Sequence, residues 1–163
     1  ENLRPDIILY LDDWGSKTKM FLDPEMWREF IKPEYEKCFG YIHDRGVLIM
    51  HHSDSFCEPI VPDMVDIHID IWQGALPEND IVRLQKETDG RITFMGGTAA
   101  SIIDRNDTTE EEVRQEVLRA CREYGPNGHF IPSATYGGPD DCIYPDTYAR
   151  IGRAIDEYNT GNK

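Results

Sequence analysis

The chain has 163 residues, enough for one ordinary domain core and too few for two. Its 31 Asp and Glu against 17 Lys and Arg give a formal net charge of −14, which argues against a nucleic-acid partner and against an anionic membrane surface, since both select basic faces. With 39% hydrophobic residues it is too apolar for intrinsic disorder, and its longest apolar run, Ile7–Leu11, is far short of the ~20 residues of a membrane helix. No signal-peptide pattern opens the chain, and Cys38, Cys57, Cys121 and Cys142 form no CxxC pair, so the expectation is a cytoplasmic domain without a disulfide framework or zinc ribbon. The sequence begins at Glu1, not Met, and enters an apolar pattern almost at once, which reads either as a start left by processing or as a piece of a longer protein.

Short apolar runs at Ile7–Leu11, Val47–Met50, Ile67–Trp72, Ile92–Met95 and His129–Ile131 predict five strands. Most are continuous in apolar character, the pattern of parallel strands buried on both faces. Helices are predicted between them. Asp23-Pro24-Glu25 opens the first, with Asp as N-cap, Pro at the first helical position and acid near the positive end of the dipole; Pro33 predicts a break within it, and Gly46 its end. Pro59–Asp66 reads as a short helix or turn, and Glu78–Thr88 as an amphipathic helix. Thr109-Glu110-Glu111-Glu112 is a capping sequence for a helix carrying Val113, Val117, Leu118 and Cys121 and closing at Gly125-Pro126. The last helix carries Tyr148, Ile151, Ile155 and Tyr158 and frays from Asn159.

Five strands each followed by a helix make one α/β domain over residues 1–163 with a parallel sheet. Two architectures fit: a five-stranded doubly wound sheet, complete at this length, or the C-terminal part of a (β/α)8 barrel. Either way the functional residues collect at the C-terminal ends of the strands. Those ends carry Asp12-Asp13-Trp14, His51-His52-Ser53-Asp54, Gln73-Gly74 with Glu78 beyond, Gly96-Gly97, and Ser133-Ala134-Thr135-Tyr136-Gly137-Gly138 followed by Asp140, Asp141 and Cys142. No glycine-rich phosphate loop follows any strand.

His52 and Asp54 stand two apart, which in a strand turns both side chains to one face, where they could share a metal ion with a third group or simply bond each other and order the loop. His51 faces the other way and reads as a packed histidine. Of Asp12 and Asp13 one points inward and one outward; Asp13 is assigned to catalysis and Asp12 to substrate contact, beside an Asx-turn alternative. Trp14 reads as pocket wall or core, and Gly97 as a place of close backbone or ligand approach. Cys38 and Cys121 read as core. The run Asp104–Glu116 reads as a solvated helix start without function.

Asp12-Asp13-Trp14-Gly15, followed by Met20-Phe21-Leu22-Asp23-Pro24-Glu25-Met26-Trp27-Arg28-Glu29-Phe30-Ile31-Lys32-Pro33, resembles the uroporphyrinogen decarboxylase superfamily. His52-Ser53-Asp54, Ile60-Val61-Pro62-Asp63, Phe94 to Gly97, Glu111 to Val117 and Tyr144 to Tyr148 extend the resemblance over nearly the whole chain. It implies the C-terminal part of a (β/α)8 barrel, with roughly the first three strands outside this sequence. The superfamily holds cofactor-free decarboxylases of porphyrin biosynthesis, whose last-strand loop carries a histidine; here Tyr136 stands in that place. It also holds cobamide-dependent methyltransferases, which bind zinc through His-x-Cys and a later Cys and pass a methyl group to or from a corrinoid protein. His52 matches that histidine, Asp54 replaces the first cysteine, and Cys142 is the nearest substitute for the second. A hard Asp in place of a thiolate favours an oxygen-rich site and an O-methyl substrate.

The expectation is therefore methyl transfer, with decarboxylation as the alternative and a non-catalytic assembly half-domain as a third reading. Zinc would be held by His52, Asp54 and Cys142, catalysis carried by Asp13 and Tyr136, and substrate met by Asp12, Trp14, Gln73, Glu78 and Gly97. A corrinoid protein is the expected partner, and exposed half-barrel edges predict a homodimer.

Overall fold

The computed structural model describes residues 4–136 and 142–161; Gly137, Gly138, Asp140 and Asp141 lie outside them. In chain order the elements are β1 (Ile7–Leu11), α1 (Pro24–Phe30), α2 (Lys32–His43), β2 (Leu48–His52), α3 (Val61–Asp66), β3 (Ile71–Ala75), α4 (Ile81–Thr88), β4 (Thr93–Gly97), α5 (Ala100–Ile103), α6 (Glu110–Tyr124), β5 (Phe130–Ser133) and α7 (Thr147–Gly161). The helix signals hold. Asp23 caps α1 by accepting from the Glu25 amide, the helix breaks at Ile31 before Pro33, and Thr109 with Glu112 closes a reciprocal capping box on α6. Helix α7 runs on through Gly161, past the predicted fraying point.

All five strands are parallel, and their order in the sheet is β1-β2-β3-β4-β5. A doubly wound sheet reverses its order at a switch point. This sheet does not, so it is a segment of a singly wound barrel.

The register separates two faces. Tyr10, Ile49, His51, Trp72, Phe94 and Phe130 point to the helices, and most join a core with Trp14, Trp27, Phe39, Ile60, Met64 and Leu84. Leu9, Leu11, Leu48, Met50, Ile71, Gln73, Thr93, Met95 and Ile131 point to the other face, the concave side of the barrel segment. That side is apolar yet open: Leu11 is 59% exposed, and Ile7, Leu9, Leu48 and Ile131 are exposed as well. Apolar runs taken as buried on both faces are thus covered on one face only. β1 begins at Ile7 as expected, while the other four strands begin later than the sequence suggests. Ile67 and Ile69 precede β3 in a turn at which His68 adopts φ 68°, and both are core residues that cap its entry. No helix is long and apolar enough to cross a membrane among the described residues.

Beneath β5 a second core joins Ile103, Val113, Val117, Cys121, Ala134, Ile151 and Ala154, packing α5, α6 and α7 together. Cys121 is buried as expected, but Cys38 is exposed on α2.

Candidate metal centre

The site sits where β1, β2 and β3 end on the concave side. His52 is the last residue of β2 and pairs in register with Gln73 on β3, so both side chains rise from adjacent strands on one face. His52 Nδ1 hydrogen-bonds Gln73 Oε1, and Gln73 Nε2 donates to the carbonyl oxygen of Tyr136 at 2.5 Å. The other imidazole nitrogen, Nε2, lies 3.9 Å from Asp13 Oδ1. Asp13 Oδ1 also accepts from the Asp54 amide at 3.1 Å, which locks the loop after β1 to the loop after β2.

Asp13, His52 and Asp54 each offer one ligand atom, and the three atoms lie within 4.8 Å of one another. Burial, and then the neighbouring Asp13 charge, push the Asp54 carboxyl above its usual range. Among the described residues no Lys or Arg forms an ion pair with either carboxylate, although such pairs are frequent elsewhere. Two crowded acids without a basic partner, faced by an imidazole nitrogen, fit a divalent cation. The donor set is one nitrogen and two carboxylates, a combination zinc accepts while keeping a position open for substrate. Asp13 offers the third ligand atom of this group, and Cys142, expected as the third ligand, packs with Tyr136 against the second core.

Other expected site residues serve the scaffold. Trp14 is only 5% exposed, stacked on His51 at 4.0 Å and edge-on to Trp27 and Tyr35, so it lies under the site and not in its wall. Asp12 accepts from Trp14 Nε1 at 3.2 Å and from the Tyr35 hydroxyl, the role of a loop-ordering acid. Gly97, at φ 77°, leaves room for rings: a Cβ there would meet Phe130 at 2.8 Å and Tyr124 at 3.0 Å. Its absent side chain makes room for core packing. Gln73 is buried and spends both ends of its amide on protein groups. His51, as expected, is a packed histidine; its Nε2 donates to the Asp12 carbonyl at 3.1 Å.

Beside the acids opens a cleft of about 300 Å³ lined in part by Lys17, Asp54, Leu76, Glu78, Ala100 and Tyr136. Glu78 pairs there with Lys17 at 2.8 Å. Burial, and then Asp104, raise the Tyr136 hydroxyl to about 12, so it keeps its proton through neutral pH.

Two residues read as solvated prove to be buried anchors. Asp104 accepts from the amides of Ile143 and Tyr144 at 2.8 and 3.1 Å and from the Thr147 hydroxyl at 3.0 Å, tying the end of α5 to the start of α7. Glu116 accepts from the Ala99 amide and pairs with Arg119, which donates to the Gly97 carbonyl and so fixes the end of β4. Neither has a sequence signal, because an acid in an acidic, helix-starting run looks solvated until its distant partners are known. Removing the Asp104 carboxylate leaves two part-buried amide hydrogen bonds without their acceptor. Asp104→Ala is expected to lower hydrogen-exchange protection at Ile143 and Tyr144 by about 30-fold, the equivalent of about 2 kcal/mol.

No curated protein matches the chain. Among solved structures it is similar to a methyltransferase from Methanosarcina mazei, with a TM-score of 0.70 at 16% sequence identity, over 94% of this chain and 42% of that one. At that identity the likeness shows the fold, an α/β barrel segment, and the chain spans less than half the length of the neighbour. The sequence pattern of the uroporphyrinogen decarboxylase (URO-D) family matches residues 5–147, nearly the whole chain. This chain therefore belongs to the uroporphyrinogen decarboxylase (URO-D) family.

Proposed function

We propose that this chain forms the metal-binding portion of a methyl-transfer enzyme, one that moves a methyl group between a small O-methylated substrate and a corrinoid protein. The observation that carries this reading is the group Asp13, His52 and Asp54, two acids and an imidazole gathered without any Lys or Arg partner among the described residues. Cofactor-free decarboxylation gives such a group no task. A methyltransferase neighbour of the same fold supports the same reading.

His52 Nε2 and the Asp13 and Asp54 carboxylates would hold zinc, which when bound supplies a Lewis acid able to polarise the oxygen of a methyl ether. The chain's own residues do the rest. Asp54 belongs both to the metal group and to the cleft wall, so a substrate seated in the cleft lies next to the ion's place. Lys17 and Glu78 set the polarity of the cleft's far side, and Tyr136 presents a hydroxyl that stays protonated at neutral pH. Trp14, Trp27 and Tyr35 back the loop that carries Asp13 and keep water from it on the core side.

Zinc content of the intact protein tests this reading. About one zinc per chain is expected, with affinity falling by more than about 100-fold in His52→Ala, since loss of a ligand costs more than loss of a ligand's hydrogen-bond partner. With zinc and a corrinoid protein present, a methoxylated aromatic compound should lose its methyl group. Turnover of a porphyrinogen without metal would return the chain to decarboxylation. Absence of zinc, of both activities, and elution as a dimer would return it to an assembly role.

A further inference from the structure

We propose that Gln73 is a positioning residue for the metal centre: it holds the proton of His52 on Nδ1, so that Nε2 is the nitrogen presented to Asp13 and Asp54. The inference rests on the metal-binding reading for its consequence, but its argument is one of hydrogen-bond direction. The Tyr136 backbone oxygen can only accept, so the group of Gln73 that meets it at 2.5 Å must be the NH2 end. The amide oxygen then faces His52. An amide oxygen also can only accept, so the proton between them must sit on Nδ1. Neutral or protonated, the ring therefore carries a hydrogen on Nδ1, and ligation falls to Nε2, which is the atom on the Asp13 side.

The chain of contacts is closed at every step. His52 and Gln73 are register partners on adjacent parallel strands, so the backbone fixes their separation. Both are buried, which removes water as a competing partner. Tyr136 lies just beyond β5, two strands away from β3, so its carbonyl makes the orientation of a β2 imidazole depend on the path of the chain after the last strand. Nothing else among the described residues donates to or accepts from the Gln73 side chain. Metal-bound histidines depend on such a partner for ring orientation, and its loss typically weakens metal binding 10- to 100-fold.

The test reads the tautomer directly, in protein without metal. Long-range nitrogen–proton NMR spectra of 15N-labelled protein, at a pH where His52 is neutral, should show the proton on Nδ1, with the resonance assigned by its loss in His52→Asn. Gln73→Met keeps the volume but offers no amide oxygen; the tautomer should become mixed or reversed, and zinc affinity should fall about 10- to 100-fold. Gln73→Glu keeps an acceptor in the same place and should restore the Nδ1 proton and most of the affinity, while leaving the Tyr136 carbonyl without its donor. A wild-type ring protonated on Nε2 would overturn the proposal. So would a Gln73→Met protein, folded by circular dichroism, with an unchanged tautomer. If the wild-type tautomer is as stated and depends on Gln73, but no zinc binds, the positioning role stands and the methyl-transfer reading fails.

Discussion

Replacing Trp72 by alanine is expected to lower the stability of the folded protein by about 3–5 kcal/mol, read from urea denaturation midpoints at constant slope. Trp72 lies on the central strand β3, is fully buried, and meets Phe94 of β4 with ring centres 5.8 Å apart. Alanine leaves a void that its neighbours on both adjacent strands are too constrained to fill. The indole also donates to the Ser53 carbonyl at 2.9 Å, the residue directly after His52. Trp72→Phe largely separates the two contributions, because it deletes the donor while keeping most of the volume; about 1–3 kcal/mol is expected from the unpaired carbonyl. A Trp72→Ala protein within about 1 kcal/mol of wild type would mean that the sheet does not enclose this side chain.

A second large effect concerns acid. His51 is fully buried between Trp14 and the rings of Tyr10, Tyr35 and Phe39, and among the described residues its Nδ1 has no hydrogen-bond partner. Burial lowers its pKa to about 4, against an upward pull from the Asp12 carbonyl. The unfolded chain takes up this proton near pH 6.5, long before the folded one does. Stability from the neutral ring is therefore fully present above pH 6.5 and is lost as pH falls towards 4, amounting to about 3 kcal/mol across that window. Carboxylates titrate at the lower end of the same range, so the comparison is with His51→Phe, whose stability should fall less over the same pH interval by about that amount. Equal slopes for the two proteins would place a proton on His51 in the folded state and contradict its burial.

His51 and His52 show how far a sequence carries. Their opposite orientations follow from the two-residue period of a strand, and both were legible: one in the core, the other at the mouth. The pairing of His52 with an acid after the same strand was legible too, since Asp54 stands two residues on. That Asp13 brings a third ligand atom to the group was not. Asp13 reaches His52 only because β1 and β2 are neighbours in register and their exit loops bond through the Asp54 amide, which are facts about two segments 41 residues apart. Trp14 and Gly97 kept two readings open for a related reason. At a strand end, an aromatic ring or a glycine is equally suited to a ligand and to the core until the neighbouring helix is in position.

The sequence by itself determined the alternation of strands and helices, the helix starts at Asp23 and Thr109, the break before Pro33, and the family through its motifs. These are local properties: caps, periodicity and proline act within a few residues, so a linear pattern records them. Only the tertiary structure decided the sequential strand order that makes the sheet a barrel segment, the single covered face of its strands, and the anchoring roles of Asp104 and Glu116. It alone joined Asp13 to His52 and Gln73 to Tyr136. Those outcomes depend on which distant groups share a desolvated space, where a buried carboxylate or amide must find a partner to remain buried, and no pattern along the chain encodes that partner's address.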